Sequence, residues 1–316
     1  MTEFPEPPTD DYAVLYIEDT DKPLPEKIVQ SMRYAYFKTI ARGGKSIIQS
    51  CKDMHLGRVI CYKKLRPEFE KDPVEQQRLL REARVSAMLQ HPNTVPTYEV
   101  GRDSRGNYYF TMKLVHGYTL RELLDFRERY DLKQLVDVVI QIAFALDYAH
   151  SHRVAHRDIK PENILVGPFG EVLLLDWGLA KVWDATGVGT QEPQVQNSSR
   201  GDPDTSITGQ GNLQGTVTYM SPEQIRRDPS IDFRTDIYSL GVVLYEILAG
   251  RPPHEEETMH AMIASVGENK AAKPSEYAKW RVPGLLEELA MRCIEKDPSN
   301  RIQSCSEMVR LLQEDW

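Results

Sequence analysis

The sequence predicts an α+β chain in two lobes, a small strand-rich lobe with one main helix followed by a larger, mostly helical one. Two patterns carry that prediction. In the first third, short runs rich in aromatic and β-branched residues are punctuated by turn residues. After Gly117, apolar residues recur at helical spacing almost to the end. Two lobes of this kind enclose a cleft, and a cleft is where chemistry is expected.

Tyr34 to Ile40 and Val59 to Leu65 read as strands. Asp72-Pro73-Val74-Glu75 then opens the one long helix of the small lobe. Asp72 is the N-cap, Pro73 fills N1, and Glu75 at N3 is expected to reach back in a capping box. Leu79, Leu80, Ala83, Ala87 and Met88 give this helix an apolar face, and it stops before His91-Pro92-Asn93. Thr94 to Val100 and Asn107 to Val115 are further strands around the turn Asp103-Ser104-Arg105-Gly106. In the large lobe, Leu135, Val138, Val139, Ile142, Leu146 and Ala149 mark the buried face of a long helix. Val172 to Leu175 is a short apolar strand, and Thr235 to Ala249, apolar almost all round, is expected at the centre. Residues 1–33, rich in Pro, Asp and Glu, form an extension. Ala185 to Asn212 is too polar to offset the entropy of ordering it and reads as a flexible insertion.

Bulk properties exclude several classes. A hydrophobic content of 41% and a charged content of 27% are those of a soluble globular protein. A net charge of −8 argues against a general nucleic-acid binder. Cys51, Cys61, Cys293 and Cys305 show no CxxC pair or metal-ligand spacing and read as reduced thiols. Met1 to Asp11 lacks the features of a signal peptide. The longest apolar stretch, Ile237 to Ala249, is too short to span a bilayer and contains Glu246. A cytoplasmic location is expected, with no membrane segment in this chain.

The densest chemical signal is His156-Arg157-Asp158-Ile159-Lys160-Pro161-Glu162-Asn163, with Asp176-Trp177-Gly178 following thirteen residues after Asn163. Phosphoryl transfer needs a carboxylate to orient the attacking hydroxyl and a cation to neutralise the moving phosphoryl group. It also needs oxygen donors for magnesium. These residues supply one group for each task. Here the chain resembles the eukaryotic-like, bacterial-type Ser/Thr protein kinases, and the matches run from about residue 34 to 312.

The resemblance implies the bilobal protein kinase fold, with residues 34–115 as N-lobe and hinge, 116–316 as C-lobe, and an activation segment over 176–223. It implies ATP and Mg2+ as cofactors and Ser/Thr hydroxyls of protein substrates as acceptors. Asp158 matches the catalytic aspartate, and Lys160 the γ-phosphate lysine of the Ser/Thr class. Asn163 and Asp176 match the metal ligands. Lys63, in Ile60-Cys61-Tyr62-Lys63, matches the nucleotide lysine and Glu82 its partner. Strand alternation favours Lys63 over Lys64, because Cys61, Lys63 and Leu65 share one face. Ile48 and Cys61 would roof the adenine and Leu165 would floor it. Met112 matches the gatekeeper, and Lys113 to Val115 the hinge. Thr216 would lie near the substrate hydroxyl, Glu223 would pair with Arg301, and Asp236 would brace the catalytic loop. Arg157 would bind a phosphorylated activation segment, with Thr186, Thr190, Ser198, Ser199, Thr205, Ser206 and Thr208 as candidate sites. A transient homodimer would serve modification in trans.

Two motifs depart from the family. Trp177 replaces a phenylalanine and is expected to change the packing against the helix that begins at Pro73. In the phosphate loop the pattern Gly-x-Gly-x-x-Gly is reduced to Ala41, Gly43 and Ser46. Alanine and serine restrict the close backbone approach that glycine permits, and Lys45 is expected to offset part of the loss by attracting phosphate. Gly44-Lys45-Ser46 is not a Walker A loop, which needs glycine where Thr39 stands. The reduced loop leaves a pseudokinase scaffold as the alternative function. A small-molecule kinase is a third reading, opposed by Ser221-Pro222-Glu223.

Overall fold

The computed structural model describes residues 33–184, 189, 217–256, 258–268 and 271–314. The N-terminal part is built from β1 (Tyr34–Arg42), β2 (Ser46–Asp53), β3 (Arg58–Leu65), α1 (Pro73–Met88), β4 (Thr97–Arg102) and β5 (Tyr108–Lys113). The strands form one antiparallel sheet in the order β1-β2-β3-β5-β4. Strand β2 was not legible in advance, because Ser46 to Asp53 alternates poorly and carries Gln49 and Lys52. Ladder bonds to β1 and β3 on both sides make it a strand, which is a tertiary override of propensity.

The two sheet faces differ in chemistry. Tyr62 and Tyr109 stack at 4.5 Å on the outer face, with Tyr34 edge-on to both at 6.0 Å. Leu65 and Phe110, on the inner face, pack with Leu79 and Ala83 of α1. Asp72 caps α1 as expected, accepting from the N–H groups of Val74 at 2.8 Å and Glu75 at 3.4 Å. Glu75 does not close the expected capping box. Its carboxylate instead binds Lys45 at 2.6 Å and Arg78 at 2.8 Å, since two cations compete better than one backbone amide.

The remainder begins with β6 (Tyr118–Thr119), α2 (Leu120–Leu124), α3 (Leu132–Ser151) and β7 (Val154–Ala155). Strands β8 (Ile164–Val166), β9 (Val172–Leu174) and β10 (Lys181–Val182) follow, then α4 (Pro222–Ile225), α5 (Arg234–Ala249), α6 (Met259–Glu268), α7 (Gly284–Cys293) and α8 (Cys305–Leu312). Every residue of α5 from Thr235 to Ala249 is buried, so this helix is the axis of the core, with α3 and α7 packed on it. It ends at Gly250, whose φ of 78° is the left-handed cap that glycine takes without steric cost. All four cysteines are free and buried. Among the described residues, no helix is long and apolar enough to cross a membrane.

Glu223 and Arg301 meet as expected in a buried, two-pronged ion pair with distances of 2.6 and 2.8 Å. The same guanidinium also donates to the carbonyls of Glu295, Arg234 and Lys296, so its charge and its donors are answered together.

Helices α5 and α7 approach closely at Gly241, where an added Cβ would lie 2.3 Å from Cβ of Cys293 on α7. Gly241→Ala should therefore force the two helices apart and lower stability by about 1–3 kcal/mol, read from urea unfolding.

Candidate active site

Register in the sheet decides which lysine enters the cleft. Lys63 pairs across the sheet with Ile48 on β2 and Phe110 on β5, so all three point to the inner face, while Lys64 points to the other. The Lys63 ammonium, buried, donates to Glu82 on α1 at 2.6 Å and lies 4.0 Å from Asp176. Burial works against the charge of Lys63, but Asp176 and Glu82 outweigh it and raise its pKa above the ordinary lysine value. Burial pushes the Glu82 carboxyl up to about 7, against the pull of Lys63. The Lys63 charge holds Asp176 below the usual carboxylate range.

The second half of the site hangs from α5. The fully buried Asp236 carboxylate accepts from the backbone N–H of His156 at 2.8 Å, that of Arg157 at 2.8 Å, and His150 Nε2 at 2.9 Å. The donors hold its pKa down despite burial. They also fix Arg157 at φ 69°, a left-handed backbone that a non-glycine residue adopts only under restraint. His156 spans the loop, accepting at Nδ1 from the Asp158 N–H at 3.1 Å and donating from Nε2 to the Leu175 carbonyl at 2.9 Å. Lys160 reaches both Asp158 oxygens at 2.9 Å, and Asn163 Nδ2 donates to the Asp158 carbonyl at 2.8 Å and to Oδ2 at 2.9 Å. Burial raises the pKa of Asp158, with Lys160 opposing. Asp176 sits at φ 60° and accepts from the Gly178 N–H at 3.1 Å. Trp177 is buried, its ring edge-on to His156 at 4.6 Å. It belongs to the same core cluster as Val85 and Leu89, at the C-terminal end of α1.

The remaining sequence-derived candidates lie on β1, β2, β3, β5 and β8 or in the connections between strands. Cys61 is buried opposite Met112, and burial pushes its thiol up to about 11. Ile48 is half-buried and faces Ala41 on β1. Leu165, half-buried on β8, pairs with Leu173 and Thr119. Lys113 ends β5 with its N–H donating to the Pro96 carbonyl at 3.0 Å, and Val115 lies in the connection to β6. Gly43 closes the tip between β1 and β2, donating to the Ser46 carbonyl at 2.9 Å. The side chain of Lys45 is turned to Glu75, not left free to attract phosphate as expected. Thr216 and the seven candidate modification sites lie outside the described residues.

One network was missed. Arg121 on α2 joins Glu162 of the catalytic loop at 2.9 Å, Glu246 of α5 at 2.7 Å and the Tyr219 hydroxyl. Tyr219 donates to Glu246 at 2.5 Å. The signal available in sequence was Glu246 itself, a carboxylate within the apolar run from Ile237 to Ala249, which requires a buried cation. Gln224 also went unnoticed. Its amide donates to the Arg157 carbonyl at 2.7 Å and so ties α4 to the catalytic loop.

The family model for the protein kinase domain matches residues 34–316. The chain belongs to the protein kinase domain family. It is 35% identical over 295 residues to serine/threonine-protein kinase PknD of Protochlamydia amoebophila, covering 89% of this chain and 30% of that protein. It is 33% identical over 296 residues to PknD of Chlamydia muridarum, covering 89% and 31%. A probable serine/threonine-protein kinase of Clostridium acetobutylicum is 34% identical over 281 residues, covering 89% and 39%. The chain thus spans roughly a third of the length of these relatives. The β-rich N-terminal part and helical remainder are those of the bilobal α+β kinase fold.

The donors present suit a magnesium ion. Asn163 commits its amide nitrogen to Asp158, which turns Oδ1 away from that residue, and the Asp176 side chain is half-exposed. One carboxylate and one amide oxygen match an ion that takes its other ligands from water and phosphate.

Asp236→Asn would replace an acceptor oxygen with an amino group facing N–H donors. It should cost about 2–3 kcal/mol in urea unfolding, because buried backbone donors lose a charged acceptor.

Proposed function

We propose that this chain is a MgATP-dependent protein kinase that transfers the γ-phosphoryl group to Ser/Thr hydroxyls of protein substrates. The observation that carries the reading is the closed Lys63–Glu82 pair with Asp176 beside it, facing the joined Asp158, Lys160 and Asn163 side chains. A scaffold under no catalytic demand has no need to keep six ionic and amide groups in register. The relatives, named as serine/threonine-protein kinases, point the same way.

In this reading Lys63 holds the α- and β-phosphates, and Glu82 holds Lys63. Ile48, Cys61, Met112 and Leu165 enclose the adenine, and the backbone from Lys113 to Val115 binds its edge. Ala41, Gly43 and Ser46 cover the phosphates. Asn163 and Asp176 would hold Mg2+, which supplies charge neutralisation at the phosphates when bound. Asp158 accepts a hydrogen bond from the substrate hydroxyl and takes its proton late in the transfer. Lys160, already bound to both Asp158 oxygens, is placed to answer the charge that builds on the moving phosphoryl group. Residues 34–115 act as N-lobe and hinge and 116–316 as C-lobe. Arg157 answers phosphorylation within the activation segment, 176–223, for which a transient homodimer would supply the partner. The setting is cytoplasmic.

Intact-mass measurement before and after MgATP, with an acceptor protein present, should show phosphoryl additions that Asp176→Ala abolishes. No addition with the native chain would favour the scaffold reading. A pH profile gives a second check. The Lys63–Glu82 attraction needs ionised Glu82, whose carboxyl is pushed up to about 7. As pH falls through that value Glu82 takes a proton and the pair weakens. The kcat/KM for ATP, which reports the free enzyme, should therefore decline on the acid side of neutrality. Glu82→Gln should lower the plateau and remove that limb.

A further inference from the structure

The tip of the phosphate loop lacks both outer glycines, yet it is held firmly from outside. The Arg66 N–H donates to the Lys45 carbonyl at 2.9 Å, and Arg66 Nη1 to the Gly44 carbonyl at 3.1 Å. Lys45 Nζ donates to Glu75 at 2.6 Å, and its ammonium lies 6.0 Å from the Phe69 ring. Glu75 is buried to 6% exposure, and the oxygen that takes Lys45 also takes Arg78 at 2.8 Å. Glu75 precedes Glu82 by seven residues, two turns of the same helix. Helix α1 therefore meets the sheet through two ion pairs on one stripe, one to the loop tip and one to β3.

We infer that Lys45 and Glu75 are a positioning pair that holds the phosphate loop over the nucleotide phosphates, with Lys45 acting through Glu75 and not as a phosphate ligand. The inference rests on the nucleotide-binding reading above. A glycine-rich loop approaches phosphate closely but loses much conformational freedom when it is ordered. A loop with Ala41 and Ser46 approaches less freely, and tethering at Lys45 and Arg66 reduces the freedom left to lose on binding. The tether also makes the loop and α1 one mechanical unit. A nucleotide that settles the loop then also favours the α1 position in which Glu82 meets Lys63.

The experiment is calorimetric titration of the full chain with MgADP and, separately, with adenosine, which has no phosphate to sense the loop. Lys45→Met and Glu75→Gln should each weaken MgADP by about three- to tenfold. The double variant should bind no worse than the weaker single one. Adenosine affinity should stay constant throughout, and Lys45→Arg should restore MgADP binding to within about twofold, the fork of arginine reaching the same carboxylate. Tighter MgADP binding by Glu75→Gln would mean that Lys45, once released, is itself a phosphate ligand, and would overturn the inference. So would multiplicative losses, unchanged MgADP affinity in both single variants, or equal losses for adenosine. A native chain that binds neither ligand would instead remove the nucleotide reading and the inference with it.

Discussion

A single buried carboxylate, Asp236, sets the geometry on which the rest of the site depends. It stands on a helix with no solvent-facing side, and its two oxygens receive two successive backbone N–H groups and one imidazole. An anion this deep is tolerable only when it is fully answered by donors. Two of the three donors are the N–H groups of His156 and Arg157, the first residues of the loop that runs to Asn163. The fully buried central helix thereby dictates where the loop carrying Asp158, Lys160 and Asn163 begins, and a left-handed Arg157 backbone is held against its steric cost. His156 carries the same order onward, bridging the Asp158 amide to the Leu175 carbonyl just before Asp176.

Charge in the cleft is arranged so that the two halves of the site need each other. Lys63 comes from the sheet, Glu82 from α1 and Asp176 from the strand-end of the helical part. Burial alone would discharge Lys63, and it keeps its proton because two acids flank it. Those acids differ in turn. Asp176 is held in its ionised form by the Lys63 charge, whereas Glu82 is the member whose charge is weakly held. The pair is thus formed from one firm charge and one adjustable charge, and α1 carries the adjustable one.

Away from the cleft, arginines do similar work at the joints. Arg301 binds Glu223 beside α4, and Arg121 gathers Glu162, Glu246 and Tyr219 from three separate segments. In both cases a planar fork satisfies several acceptors at once, which a lysine's single ammonium would do less specifically. Both networks attach to α5 or to residues bonded to it, so the central helix organises these joints as well as the loop from His156 to Asn163.

Sequence by itself determined the class of fold, the central helix and the residues of the loop from His156 to Asn163. Those depend on apolar periodicity and on short fixed offsets, which are local properties. It also determined that Lys63 and not Lys64 shares a face with Cys61, since strand alternation has a period of two. Tertiary structure alone decided that Ser46 to Asp53 is a strand, because its stability comes from neighbours on both sides. It alone decided that Glu75 abandons its own helix N-terminus for Lys45 and Arg78, and that Arg121 crosses to Glu246 on α5. Each of these outcomes is a competition among charges or ladder partners far apart in the chain, and such a competition has no signature until folding brings the rivals within reach.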